Sequence, residues 1–96
     1  MQVVENWADI EGQIVAVKPN PLMDNFVTAQ IKVANVVPVP GFPNLFEQAK
    51  GSIIEVNIPA SKAKELSLSA GKAISGRIRK GGPTTAFVHP DFLKTR

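Results

Sequence analysis

The residues with the clearest chemical potential are the cations near the C-terminal end of the chain. Arg77 and Arg79 are two residues apart, Lys80 follows them, and Lys72 precedes them. On a β-strand, side chains two residues apart project from the same face, at a spacing of about 6–7 Å. This spacing suits successive phosphates of a single-stranded nucleic acid, and guanidinium groups also stack on bases. The pattern therefore predicts a basic strand that binds an acidic polymer.

A second interpretation fits the same cations. An exposed strand face needs polar side chains, and lysine or arginine on such a face discourages edge pairing between molecules. Aromatic content separates the two interpretations, because proteins that bind single strands normally stack bases on aromatic rings. The chain has one Trp, no Tyr and five Phe. Phe87 alternates with Ala86 and Val88, so it is a stacking platform if its face is outward and a core residue if its face is inward.

Catalytic and metal-binding chemistry finds little support in the composition. The chain has no cysteine, which excludes disulfides, thiolate nucleophiles and cysteine-ligated zinc. His89 is the only histidine, and a lone histidine provides neither a metal cluster nor, without a serine in an elbow motif, a catalytic triad. The carboxylates are scattered, and Gly81-Gly82 lacks the context of a phosphate-binding loop. We therefore predict a binding protein rather than an enzyme, with no metal and no cofactor.

Size and composition indicate one small domain. The chain has 96 residues, of which 44% are hydrophobic and 20% charged, an ordinary globular composition. No apolar run approaches the roughly 18–20 residues of a membrane span, and the N-terminal segment has no secretory signal pattern. We expect a single cytoplasmic domain over 1–96, with no membrane partner. The net charge is +3 and every arginine lies in the last quarter of the chain, which points to an acidic partner.

Hydrophobic periodicity predicts five strands and one helix. The predicted strands are 10–18, 26–37, 52–58, 72–80 and 84–89. In the second strand, Val27 and Ala29 share a face and Thr28 lies on the other. Ser61 is expected to cap a short helix between the third and fourth strands, and Gly71 is expected to end it. Proline and glycine prevent regular structure over 38–51, which is predicted to be a long loop.

Three strands, a helix and two further strands, with "LSLSAGKAISGRI" at the junction of the helix and the fourth strand, resemble the OB-fold. In that junction the residues that carry the resemblance are Leu68, Gly71, Ile74, Gly76 and Ile78. The resemblance covers residues 10 to about 90. It implies an all-β, small five-stranded OB-like Greek-key barrel with one short helix between strands 3 and 4, and short tails at both ends.

The resemblance also implies a ligand face on the second and third strands. The face residues implied by position are Thr28, Gln30, Lys32, Glu55 and Asn57. The flanking loops are 18–25 and 80–84. Together with the basic strand, this predicts that the domain binds single-stranded nucleic acid or RNA. The predicted binding residues are Arg77, Arg79, Lys80, Lys32, Lys72 and Phe87.

The proline-rich segment 38–51 supports an alternative function. It holds Phe42, Leu45 and Phe46, and loops of this length are often functional. If these side chains are exposed, they form an apolar patch for a protein partner or for self-association. If they fold back, they seal an open end of the barrel. The alternatives are therefore a protein-interaction or oligomerisation module that uses this loop, and a small-ligand-binding barrel.

Overall fold

Six strands, one α-helix and two short 3-10 helices make up the computed structural model, which describes residues 5–81 and 85–95. The strands are β1 (Ala8–Pro19), β2 (Phe26–Pro38), β3 (Ile53–Pro59), β4 (Ala73–Lys80), β5 (Ala86–Val88) and β6 (Lys94–Thr95). The helix, α1, is Ala60–Glu65, and the 3-10 helices are Glu47–Ala49 and Pro90–Phe92. Within these two ranges, no helix has the length and apolarity that crossing a membrane requires.

The first five strands close into a barrel. Their order around it is β1-β2-β3-β5-β4, and β4 returns to pair with β1. β1 closes the barrel because it is long enough to pair with β2 over its whole length and with β4 over its first half. β3 and β5 are parallel, and the other neighbours in the ring are antiparallel. The prediction of a mostly β, five-stranded OB-like barrel with one short helix after β3 is confirmed.

The short strand β6 lies outside this ring and was not predicted. It pairs with the first part of β4, on the same edge that β5 occupies further along. Pro90 explains the interruption, because it has no N–H to continue the pairing and begins the second 3-10 helix. The C-terminal part of the chain thus follows β4 in two separate pieces.

The core lies inside the barrel and is built from the inward-facing residues, which alternate with outward-facing residues along the strands. Its largest fully buried side chains are Ile10, Ile14, Ile31, Ile58, Ile74, Ile78, Val33 and Val56. The predicted faces of the second and fourth strands are confirmed: Ala29 is buried and Lys32 exposed, and Ile78 is buried and Arg79 exposed. Gly12 allows β1 to approach β2 closely at a register shift, because a Cβ there would collide with the carbonyl oxygen of Lys32.

Both predicted ends of the helix are wrong. Ser61 lies inside α1 (Ala60–Glu65) and cannot cap it, and the N-cap position makes no side-chain hydrogen bond. The helix ends in a Schellman arrangement, in which the N–H groups of Ser67 and Leu68 donate to carbonyl groups of its last turns. Ser67 takes the left-handed conformation, with φ of 51°, that glycine usually supplies. Gly71 has φ of 93° and lies in the turn that leads into β4.

Candidate functional site

One register position of the sheet can be followed across all five barrel strands. Cross-strand pairing joins, in order, Lys18 of β1, Thr28 of β2, Asn57 of β3, Phe87 of β5 and Arg79 of β4. These side chains face the outside of the barrel, because the residues that alternate with them pack in or against the core. We call these five residues the outer row. Three of them come from the ligand face or the flanking loop that the resemblance implied, and the other two come from the basic strand and its neighbour.

Phe87 faces outward, which was the condition for it to act as a stacking platform. It is half-buried, and the guanidinium carbon of Arg79 lies 5.3 Å from the centre of its ring. The ring of Phe26 packs edge-on against it, with the two ring centres 6.0 Å apart. Gly81 leaves room for the Phe87 ring, since a Cβ there would lie 2.8 Å from Cε2 of Phe87. Arg79 and Phe87 therefore form a cation–π pair at the surface. The Phe87 ring contacts Arg79 on one side and Phe26 on another.

Asn57 faces outward as predicted but is only 9% exposed, because the loop between β1 and β2 lies over it. The Asn20 side-chain amide donates to Oδ1 of Asn57 at 2.9 Å, and the Thr28 hydroxyl donates to the same oxygen at 3.0 Å. The side-chain oxygen of Asn20 also accepts hydrogen bonds from the N–H groups of Leu22 and Met23. The centre of the outer row is thus a network of polar side chains that also fixes the loop.

Arg77 belongs to a different cluster. Its Nε donates to Oδ1 of Asp9 at 2.8 Å and its Nη2 donates to Oδ2 at 3.3 Å. The guanidinium carbon lies 4.3 Å from the centre of the Phe92 ring. The hydrogen bond to Asp9 raises the pKa of Arg77 above its ordinary value. Because its charge is already paired with a carboxylate, we do not retain Arg77 in the candidate interface.

Further aromatic rings lie beside Arg77 and Phe92, toward the start of the chain. The His89 ring lies 4.8 Å from the Phe92 ring, centre to centre, and 5.3 Å from the Trp7 ring. Nδ1 of His89 accepts a hydrogen bond from the N–H of Asp91 at the start of the second 3-10 helix. We call Trp7, Asp9, Arg77, His89 and Phe92 the Arg77 cluster. It joins β1, β4 and the C-terminal segment at the surface, where Phe92 is 44% exposed.

The other cations predicted to bind nucleic acid are separated from one another. Nζ of Lys72 donates to the carbonyl oxygen of Leu66 at 3.0 Å, beside the end of α1. Lys32 is exposed and pairs with Ile53, away from the outer row. Lys80 follows Arg79 directly, and its Nζ lies 5.6 Å from the centre of the Phe46 ring. Of the three lysines among the predicted binding residues, Lys80 alone adjoins the Arg79–Phe87 pair.

The three apolar side chains of the loop 38–51 are not all exposed and not all buried. Phe46 is only 4% exposed and belongs to the core, so its assignment to an interaction surface is corrected. Phe42 and Leu45 remain at the surface, 37% and 41% exposed. Phe46 therefore seals the barrel, while its two neighbours face solvent.

A groove of about 600 Å³ separates this loop from the first half of β3. Its lining includes Leu45, Glu47, Ile53, Glu55, Lys80 and Thr85. Lys32 and Glu55 stay exposed beside it. The loop is thus one wall of a groove at the side of the ligand face and does not cover those two positions.

Sequence reasoning placed Asn20 within the flanking loop 18–25 without assigning its contacts, and it did not include Phe26 in the site. Asn20 stands between Pro19 and Pro21, and asparagine in such turns commonly bonds the backbone two residues on. That signal was available in the sequence. Phe26 contacts Phe87, which lies far away in the sequence, and only the register of β2, β3 and β5 brings the two rings together.

Comparison with known proteins gives no family assignment. No family model matches the chain, and no curated protein is significantly similar to it. The structure defines a class, a five-stranded mixed β-barrel with a helix between β3 and β4, consistent with an OB-like fold. In the part of the chain that the structure describes, no group of three or more His, Asp or Glu side chains could hold a metal ion. Since barrels of this shape serve unrelated functions, the function has to be argued from the site.

Proposed function

We propose that the protein binds single-stranded nucleic acid at the outer row, chiefly at its Arg79–Phe87 end because the β1–β2 loop covers Asn57 at its centre, with little sequence preference and without catalysis. The observation that carries this proposal is the outward-facing Phe87 with the Arg79 guanidinium over its ring. An exposed aromatic ring stacks a base, and an adjacent guanidinium binds a phosphate or stacks in turn. Lys18 at the other end of the outer row and Lys80 beside Arg79 supply further positive charge.

The dimensions of the outer row fit a short strand of nucleic acid. The four steps between the five neighbouring strands give a path of about 19 Å along the curved wall of the closed barrel, at the usual separation of about 4.8 Å. That length suits about four nucleotides, the lower end of the range that one barrel of this type binds. The proposed strand crosses the β-strands, with a base on Phe87 and phosphates toward Arg79 and Lys80.

The proposal of little sequence preference follows from the centre of the outer row. Oδ1 of Asn57 already accepts two hydrogen bonds, and the Asn20 amide that supplies one of them also holds the loop. Polar groups that bond one another are less available to read base edges. Affinity then comes from stacking and charge, neither of which distinguishes strongly among bases.

Fluorescence anisotropy with a labelled thymidine oligonucleotide in low salt tests the proposal. We expect saturable binding, and we expect F87A to weaken it by about 5- to 150-fold, since stacking contributes about 1–3 kcal/mol per base. F42A is the matched control, because Phe42 is an exposed phenylalanine outside the outer row. Absence of saturable binding, or an equal loss in F42A and F87A, would overturn the proposal.

Salt dependence tests the electrostatic part separately. Three phosphate contacts predict a slope of about −2 for the logarithm of affinity against the logarithm of salt concentration. R79A should make this slope shallower by about 0.7, the contribution of one contact to a single strand. K64A removes an exposed lysine on α1 and should leave it unchanged. A slope near zero, or equal changes in the two variants, contradicts the role given to Arg79.

A further inference from the structure

The edge of β3 that faces away from β2 carries backbone groups directed toward the groove. The N–H of Val33 donates to the carbonyl of Ser52, which fixes where the ladder between β2 and β3 begins. In an antiparallel ladder, hydrogen-bonded pairs alternate with pairs that are not bonded to each other. This register makes Ile54 a hydrogen-bonded position, so its backbone N–H and C=O groups bond to β2. The N–H and C=O groups of Ile53 and Glu55 therefore point to the opposite side of β3.

The strand on that opposite side is too short to cover the whole edge. β5 spans only Ala86–Val88, and among the described residues its pairing with β3 is the single Asn57–Phe87 bridge. The groove of about 600 Å³ begins beyond this bridge. Ile53, Glu55, Lys80, Thr85 and Ala86 are among its lining residues. The edge of β3 that faces away from β2 therefore borders this groove.

The chemistry of the groove limits what could occupy it. Glu47 and Glu55 are exposed acids on its rim. The one lysine in its lining, Lys80, is half-buried and holds its ammonium group over the Phe46 ring. Leu45 and Ile53 add exposed apolar surface, with Ile53 57% exposed. The groove is thus complementary to an occupant that carries apolar groups and positive charge.

We propose that this groove binds an extended peptide segment of a partner protein, which adds to β3 as a strand and alternates apolar with basic side chains. Its backbone pairs with Ile53 and Glu55, as in other cases of strand addition. A lysine or arginine lies next to Glu55 on the outer face, and apolar side chains contact Ile54 and Leu45. A volume of about 600 Å³ is within the usual range of binding pockets, about 300–1,000 Å³.

This inference does not rest on the proposed binding of nucleic acid. It uses none of the five residues of the outer row, and Lys80 is the one residue that both proposals name. A peptide and an oligonucleotide would also be selected by opposite charges, because the peptide is drawn to Glu47 and Glu55. The two proposals can therefore fail separately.

Amide NMR spectroscopy of the ¹⁵N-labelled full chain provides the test. The probe is the peptide acetyl-Val-Lys-Val-Lys-Val-amide. We expect saturable shifts and slower hydrogen exchange at the amides of Ile53 and Glu55, with smaller effects at Ile54, whose N–H is already bonded to β2. One control peptide has glutamate in place of lysine, and the other has N-methylated valines that cannot donate. Shifts that do not saturate, or equal shifts with either control peptide, overturn the inference.

A pair of charge-reversal variants tests the acidic side of the groove. E55K should weaken binding of the lysine peptide by about three- to tenfold, because an attraction at the rim becomes a repulsion. E65K changes the same residue type on exposed α1 and should leave peptide binding unchanged. Equal effects of the two variants contradict the inference. A free chain that sediments as a dimer with the Ile53 and Glu55 amides protected also overturns it, because a second copy then occupies the edge.

Discussion

Arg77 and Arg79 lie two residues apart on the same face of β4, yet their surroundings are opposite. Arg77 pairs across the sheet with Asp9 of β1, and its guanidinium group lies between that carboxylate and the Phe92 ring. Arg79 pairs with Phe87 of β5, and its side chain is exposed. One arginine joins separate segments of the chain through its ion pair with Asp9, and the other is exposed beside a half-buried aromatic ring.

The difference arises where β4 changes partners. Its first part lies between β1 and β6, and its last part pairs with β5. A strand face that looks uniform in sequence therefore passes from an acidic neighbour to an aromatic one. Residue type and spacing determine which face an arginine occupies, but the residue opposite it determines whether the charge is free for a ligand.

Matched charge reversals give the largest expected effects and separate the two arginines most clearly. R77E places a second carboxylate beside Asp9 and removes the contact with Phe92, so we expect a pronounced fall in Tm. R79E should leave Tm near the wild-type value and lower oligonucleotide affinity by about tenfold or more, because one phosphate contact becomes a repulsion. Circular dichroism melting and fluorescence anisotropy measure the two effects.

K64E controls for the general effect of reversing an exposed positive charge, since Lys64 lies on α1 away from both arginines. It should reduce oligonucleotide affinity less than R79E and Tm less than R77E. If both arginine variants lose stability equally, or lose affinity equally, the distinction between the two positions is wrong.

A change at Gly81 tests whether the position of the Phe87 ring matters, without removing any charge. In G81A the new methyl group would approach Cε2 of Phe87 to 2.8 Å, so the ring must move. We expect oligonucleotide affinity to fall by about three- to tenfold, a part of the full stacking contribution, with a smaller change in Tm than R77E causes. In the double variant G81A/F87A the alanine at position 81 should have no further effect on affinity. An additive loss would show that G81A acts by another route.

D9N tests the pairing of Arg77 from its partner's side. The substitution removes the carboxylate charge but keeps a similar shape, so we expect Tm to fall by only a few degrees, as is usual for an ion pair at the surface. The difference from wild type should shrink in high salt, which screens the lost attraction. Oligonucleotide affinity should change little. A large gain in affinity would show that Arg77 becomes a phosphate ligand once Asp9 is neutral.

The strands and their faces were predictable because the relevant signal is local. Alternation along 26–37 and 72–80 reports which side chains turn inward, and each strand carries that information by itself. The exposed position of Arg79 and the buried position of Ile78 follow directly from it. The presence of a helix after β3 was equally predictable, although its ends were not. Its C-terminal end was not predictable because Ser67 adopts a conformation that usually requires glycine.

The partners of the candidate residues were not predictable in this way. Arg77 and Asp9 are 68 positions apart in the chain, and Asn20 and Asn57 are 37 apart. Which side chains meet across a sheet depends on register, and register depends on the closed barrel as a whole. Composition likewise could not separate Phe46 from Phe42, because both lie in the same proline-rich loop and only packing decides which one enters the core.

R79K has the smallest expected effect and separates charge from planarity at the outer row. Lysine keeps the positive charge but lacks the flat guanidinium group that lies over the Phe87 ring. We expect affinity for the oligonucleotide to fall by about two- to fivefold, in line with a cation–π contact at an exposed site, while the salt dependence stays the same. The matched variant R77K should lower Tm slightly, because one ammonium group cannot reproduce both bonds to Asp9. If R79K binds as tightly as the wild type, charge alone accounts for the contribution of Arg79, and the stacked arrangement is incidental to binding.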